Sequence, residues 1–470
     1  MSKGSTDLKE YEKRAWLPDL IYFQGTFVGG IAITSDETGR VCRVADASEV
    51  ENPQRLSGRA LLPGLVNAHS HAFQRVIRGR TERRSQYTTD SFWTWREQMY
   101  AAANRLTPEE IYSASRMALL EMALAGITAV GEFHYLHHAP DGSPYSDPNL
   151  LEREVIRAAR EVGIRIALLR VAYARAGYQR EPDPQQVRFI ESSPEIYLTN
   201  LEQLLAAPEL KTGEAWVGVA PHSVRAVPRD YLKTIVEFAK ARGLVVHMHV
   251  AEQTAEVAAC IEEYRRSPVA LLETEDLLSE KFTAVHAIHV TSKAVEAFAR
   301  SGAKVCACPT TERNLGDGVV PVDEYFSQRV PVSLGTDSQI QIDLLEDARE
   351  LEYHLRLQRM SRNVLATDNT DDTDQSGLAR RLFECATANG AMSIGFEGGS
   401  LEPGAGADFF TVDLDDPSIA GATPENLLAN IVFSLSRTAV RDVIVGGRTI
   451  VADGRHAQQD EIVSALRSIQ

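Results

Sequence analysis

Eight short apolar, β-prone runs recur between residues 61 and 338, separated by longer amphipathic stretches. They are LLPGLVNAH (61–69), ITAVGEFHY (127–135), IRIALLRVAY (164–173), AWVGVAPHS (215–223), LVVHMHVAE (244–252), FTAVHAIHV (282–290), AKVCACPTT (303–311) and VPVSLGTDS (330–338). The stretches between them carry helix signals. In TPEEIYSASRMALLEMALAG, Thr107 precedes Pro108 and Glu110 in a helix-start pattern, and Gly126 closes it. Strand and helix alternating in this way predict a (β/α)8 TIM barrel, an α/β fold whose chemistry is done at the C-terminal ends of its strands.

The flanks have a different texture. Residues from Asp19 to Leu62 hold β-type runs such as LIYFQGTFVGGIAIT and RVCRVA; near the other end, ADFFTVDLDD and VRDVIVGGRTIVADGRH set apolar residues around Gly-Gly and Asp-Gly turns. Together they predict one small β-sandwich made from both termini. The expected division is 1–62 for its N-terminal part, 63–395 for the barrel and 396–470 for its C-terminal part. The polar stretch ATDNTDDTDQSG (366–377) reads as an exposed loop.

At 470 residues, 44% of them hydrophobic and 24% charged, the chain can bury a large core without disulfides. Its net charge of −16 argues against nucleic-acid binding, which needs a clustered basic field. No uncharged apolar stretch approaches the ~18 residues of a bilayer span, and MSKGSTDLKEYEKR lacks the apolar core of a signal peptide. A cytoplasmic protein with no membrane partner is therefore expected. Cys42, Cys260, Cys306, Cys308 and Cys385 are few and odd in number, which fits a reducing compartment. Cys306 and Cys308 read as buried thiols, since no second cysteine pair accompanies them.

The histidines carry the chemical signal. Of the twelve, only His354 and His456 lie outside the span 69–289, and most of the rest fall at predicted strand ends. His69 and His71 form an HxH pair closing the first run; at i and i+2 of a strand both imidazoles face one way and can reach one ion. In the fifth run, if His249 is the third nitrogen ligand, Glu252 is near enough to serve a substrate at the same ion, while His247 reads as a core or supporting histidine. His286 fits the sixth strand end, and His289 reads as a loop or packing residue. Asp337 closes the eighth run; an isolated GTD is a turn in most proteins, but at this rim position its carboxylate can complete a site of three histidines and one aspartate. Such donors suit one divalent ion, Zn²⁺ first, with Fe²⁺ or Mn²⁺ as alternatives. An ion there lowers the pKa of bound water toward ~7, and Asp337 beside it can accept the proton.

Rival chemistries are missing: the chain has no GxSxG elbow, no GxxxxGK[ST] loop and no GxGxxG opening a helix. The HxH, HxxE, His and Asp at strands one, five, six and eight, beside a split β-unit, resemble the amidohydrolase superfamily in its mononuclear deaminase branch. More specifically, HSHAFQR (69–75), DSFWTWREQMY (90–100), GEFHYLHH (131–138), HSVRAV (222–227), HMHVAEQ (247–253), VHAIH (285–289) and TERNLGDG (311–318) resemble the formimidoylglutamate deiminases of histidine degradation. Members of that family convert N-formimidoyl-L-glutamate and water into N-formyl-L-glutamate and ammonia.

The resemblance implies that His69, His71, His249 and Asp337 hold the metal, that Glu252 shuttles protons to the departing nitrogen, and that His286 orients the attacking water. It also implies a homodimer. The two carboxylates of such a substrate call for arginine receptors. Arg96 and Arg225 are the candidates, assisted by Gln74, Tyr135 and His222. One position departs from the family pattern: Gln339, in GTDSQ, stands where a histidine is expected, and it can donate a hydrogen bond but cannot take up a proton. Alternatives are a related deaminase acting on another amidine, a guanidino acid or a nucleobase, and a catalytically silent barrel that binds a metabolite. Converging arginines argue against a nucleobase pocket, and the paired Glu252 and His286 argue against silence.

Overall fold

The computed structural model describes residues 14–82, 90–366 and 377–469. The segment before residue 14 and most of the polar stretch 366–377 lie outside them.

Each of the eight apolar runs contains a strand of one parallel sheet. In order they are Leu65–Ser70, Ile127–His134, Arg165–Ala172, Ala215–Pro221, Val246–Val250, Phe282–His286, Lys304–Ala307 and Val332–Leu334. Each pairs with its neighbour in sequence, and a parallel bridge between Ser70 and Asp337 joins the eighth run back to the first. Helices such as Pro108–Leu124, Leu150–Val162, Arg229–Arg242 and Leu344–Arg359 cover the outside. All strand residues except Trp216 are buried, which is why the runs are apolar throughout and show no period of two. The helix at 108–124 begins as read: Thr107 Oγ1 accepts from the Glu110 N–H, and the Glu110 carboxylate accepts from the Thr107 N–H.

The floor of the barrel was not foreseen. A short helix, Ala388–Ile394, packs under the N-terminal ends of the strands. Its Ser393 carbonyl accepts from His247 Nε2 (2.8 Å), its Ile394 carbonyl accepts from Trp216 Nε1 (2.7 Å), and Asn389 donates to the Val332 carbonyl (2.9 Å).

Both ends of the chain form the β-unit, whose nine strands make one mixed sheet. Phe409–Asp413, from the C-terminal part, pairs antiparallel with Gln54–Pro63, from the N-terminal part, so neither part is complete without the other. Trp16, Ile21, Ile33, Leu61, Phe409 and Ile444 give it its own apolar core. Gln54–Pro63 runs into the first barrel strand through Gly64, where any Cβ would lie 2.2 Å from Thr128 Oγ1. The buried pair of Arg165 Nε and Asp408 Oδ2 (2.7 Å) ties this unit to the third barrel strand.

Candidate active site

The C-terminal strand ends bring together residues from the first, fifth and eighth strands. His69, His71, His249 and Asp337 are all buried and each turns one ligand atom inward, all of these within 4.8 Å of one another. His69 Nε2 faces His249 Nε2 at 3.2 Å, and the Asp337 Oδ1 lies 3.5 Å from His69 Nε2 and 3.3 Å from His71 Nε2. Backbone carbonyls set the tautomers. His71 Nδ1–H donates to Phe133 O (2.8 Å) and His249 Nδ1–H to His222 O (3.2 Å), which leaves both Nε2 lone pairs pointing into the cluster.

Electrostatics suit the same purpose. Burial pushes the His69 imidazole down to about 3 and holds His71 and His249 below the ordinary histidine range, so all three are neutral at pH 7. Burial would raise the Asp337 carboxyl, but bonding to His69 and the neighbouring imidazoles outweigh it and keep it ionised. Three buried, neutral imidazoles around one carboxylate, two of them with their Nε2 lone pairs fixed toward it, fit a divalent cation. A second grouping, His286, Cys308 and Asp337, shares the aspartate. Burial holds its Cys308 thiol well above the usual range, which makes it a poor ligand at neutral pH.

Glu252 and His286 stand beside the cluster. His286 Nε2 lies 3.7 Å from Glu252 Oε1 and 3.7 Å from Asp337 Oδ2, while its Nδ1 bonds to Glu312 Oε1 at 3.2 Å. Burial opposes a charge on this ring, yet the surrounding carboxylates of Glu252, Asp337 and Glu312 hold its pKa well above the ordinary value. Burial raises the Glu252 carboxyl, so it retains a proton more readily than a free glutamate. His289 is held apart, donating from Nε2 to the Asp317 carbonyl (2.9 Å), and His247 is tied to the barrel floor. Cys306 and Cys308 are buried and unpaired by disulfide.

Above the cluster lies a pocket walled by Trp93, Tyr100, Tyr135, Tyr173 and Phe189 and reached by both arginines. Arg225 Nη1 donates to Tyr173 Oη (3.2 Å) and the Ala176 carbonyl (3.1 Å). The Arg96 guanidinium stacks 4.5 Å from the Trp93 ring centroid, and its buried Nη1 has no hydrogen-bond partner among the described residues. Among the described residues neither arginine forms an ion pair with a carboxylate, in a chain where most others do. Gln74 Nε2 donates to Tyr135 Oη (2.9 Å), its buried Oε1 has no bond among the described residues, and His222 lies beside Arg225 on the pocket wall.

Gln339 is fully buried and does not line the pocket; it donates to Ser70 Oγ (2.8 Å) behind the ligands. Its departure from the family pattern therefore falls on the supporting structure, away from the substrate wall. Sequence reading missed Glu312, Glu256, Tyr100 and Tyr173. Glu312 lies within TERNLGDG and Tyr173 ends the third apolar run, so a strand-end rule applied to every run would have found the latter.

The amidohydrolase family profile matches residues 60–450. The chain belongs to the amidohydrolase family. This amidohydrolase is 40% identical, over 91% of its length and 92% of the relative's, to the formimidoylglutamate deiminase of Pseudomonas aeruginosa. It is 28% identical to the 5-methylthioadenosine/S-adenosylhomocysteine deaminase of Natronomonas pharaonis, over 90% of this chain and 88% of that one. Among solved structures it resembles an amidohydrolase from Brucella melitensis at 32% identity and a TM-score of 0.85, covering 97% and 98% of the two chains. An adenosine deaminase from Xanthomonas campestris with bound zinc shares the fold at 20% identity and a TM-score of 0.79, covering 98% of each.

Proposed function

We propose that this amidohydrolase is a metal-dependent deiminase of N-formimidoyl-L-glutamate, releasing N-formyl-L-glutamate and ammonia. The observation that carries the reading is the pair of arginines, Arg96 and Arg225, left without carboxylate partners among the described residues in the pocket over the ligand cluster. Two cationic receptors suit a substrate with two carboxylates and have no counterpart in an uncharged purine. The relative in P. aeruginosa supports the same substrate.

His69, His71, His249 and Asp337 would hold the ion, which when bound acts as a Lewis acid and lowers the pKa of water toward ~7. Zn²⁺ is the expected ion, with Fe²⁺ or Mn²⁺ able to use the same donors. Asp337, kept ionised, takes a proton from the attacking water. His286, its Nδ1 fixed by Glu312 and its Nε2 set between Glu252 and Asp337, orients that water and passes protons across. Glu252, with its raised proton affinity, holds a proton for the departing nitrogen, which must be protonated before ammonia can leave. Arg96 and Arg225 bind the two carboxylates. Gln74, Tyr135 and His222 position the chain between them, and the aromatic walls exclude bulk water. A homodimer acting in the cytoplasm belongs to this reading.

The test is ammonia release from N-formimidoyl-L-glutamate by metal-replete protein. Turnover is expected; its absence alongside turnover of an aminopurine or another amidine would overturn the assignment.

A further inference from the structure

The eighth strand is only three residues long, and Asp337 meets the first strand beyond its end through two backbone bonds: Asp337 N–H to His69 O (3.0 Å) and His71 N–H to Asp337 O (3.0 Å). Behind that junction runs a chain of buried side chains that the mechanism does not use. Asn67 Nδ2 donates to Thr336 Oγ1 (2.7 Å), and the Thr336 hydroxyl donates to Gln339 Oε1 (3.0 Å). Gln339 Nε2 donates to Ser70 Oγ (2.8 Å) and to the Asp337 carbonyl (3.0 Å). The Ser70 hydroxyl donates to Glu132 Oε2 (2.6 Å), and the remaining oxygen, Oε1, accepts from the Ala72 N–H (2.8 Å).

Each hydroxyl here accepts one bond and donates one, so the chain has a fixed direction and needs a terminal group that only accepts. Glu132 is that group. Ser70 lies between His69 and His71, pointing to the other side of the strand, and Gln339 lies two residues past Asp337. Asp337 and Gln339 both have positive φ (46° and 61°), a conformation that side chains other than glycine rarely adopt without support. The chain thus grips the backbone on both sides of the ligand cluster, and Glu132 itself does not line the pocket.

We propose that Glu132 is a positioning residue for the metal ligands: as the terminal acceptor, it fixes the HxH pair against Asp337 and so sets how tightly the ion is held. This rests on the reading of His69, His71, His249 and Asp337 as the metal site. Glu132→Gln puts an NH₂ where an acceptor stood, leaving either the Ser70 hydroxyl or the Ala72 N–H without a partner. Ser70→Ala cuts the chain at its middle with a smaller change, and it decides the matter should Glu132→Gln fail to fold.

Metal-free wild type and both variants are titrated with Zn²⁺ against a competing chromophoric chelator, and the melting temperature of each metal-free protein is recorded. The expected result is a ~10–100-fold weaker Kd for Zn²⁺ in the variants, with metal-free melting close to wild type and KM unchanged at saturating Zn²⁺. Wild-type affinity in either folded variant overturns the proposal. So does a loss of affinity matched by an equal loss of metal-free stability, since the chain would then serve the fold alone. If the wild type itself takes up no Zn²⁺, the metal-site reading fails instead.

Discussion

A guanidinium drawn into a pocket without a paired carboxylate is costly, and the part-buried Arg225 is held that way by a tyrosine hydroxyl and a backbone carbonyl, with no carboxylate in ion-pair contact among the described residues. Its cost is offset if a substrate carboxylate completes the pair. Arg225→Met should therefore raise KM by roughly 10–100-fold, the ~1.5–3 kcal/mol of a hydrogen bond to a charged group, while kcat changes much less. Steady-state ammonia release measures both; an unchanged KM removes Arg225 from the receptor. Glu252→Gln keeps the shape of the side chain but cannot give up a proton, so kcat should fall by ~10²–10⁴ with KM nearly constant. At this scale the sequence was legible where one strand end or one motif carries the residue: HxH, HxxE and GTD each lie within a few positions. It was silent where partners meet across strands, as His286 meets Glu312 and Ser70 meets Glu132, because nothing local marks pairs separated by 26 and 62 positions.

At the scale of elements, the eight apolar runs were legible because parallel strands buried on both faces leave uninterrupted hydrophobic text. The floor helix at 388–394 was not, since seven residues with four small ones among them carry no clear period. Backbone strain collects at the functional rim: Ala251, His286, Ala287, Asp337 and Gln339 all have positive φ at or a few residues past the ends of strands five, six and eight. The eighth strand can approach the first so closely only through Gly335, where an added Cβ would lie 2.7 Å from His69 Cβ and 2.8 Å from the His69 carbonyl oxygen. Gly335→Ala should push the two strands apart, cost roughly 1–3 kcal/mol from overpacking and lower metal content. Elemental analysis after gentle purification checks this, and full metal content in the folded variant contradicts it.

The whole molecule is acidic, with a net charge of −16, yet its pocket gathers two arginines and a cation site inside that shell. Net charge therefore bears on solubility, and recognition belongs to the few residues that run against it. The same burial that shapes the site also shapes stability against pH. Burial pushes Glu256 up to about 7 and Asp317 up to about 8, above the ordinary 4.5 and 3.8. For these groups the folded chain binds the proton more tightly than the unfolded one; their contribution is complete below the ordinary carboxyl range and is lost as pH rises through 7 to 8. His134 and His247 act in the opposite sense. Burial pushes both down to about 4 from 6.5, so their contribution is present above 6.5 and is lost as pH falls through 4. Between about pH 4.5 and 6.5 the two effects oppose one another, so the melting temperature of the metal-free protein should rise from acid pH to a broad maximum over that window and fall as pH goes from about 6.5 to 8, where only the carboxyls still act. Glu256→Gln, which removes one of the groups on the alkaline side, should make that fall shallower. A profile that stays level or climbs above the maximum would mean that these carboxyls titrate in the folded protein as they do in the unfolded chain.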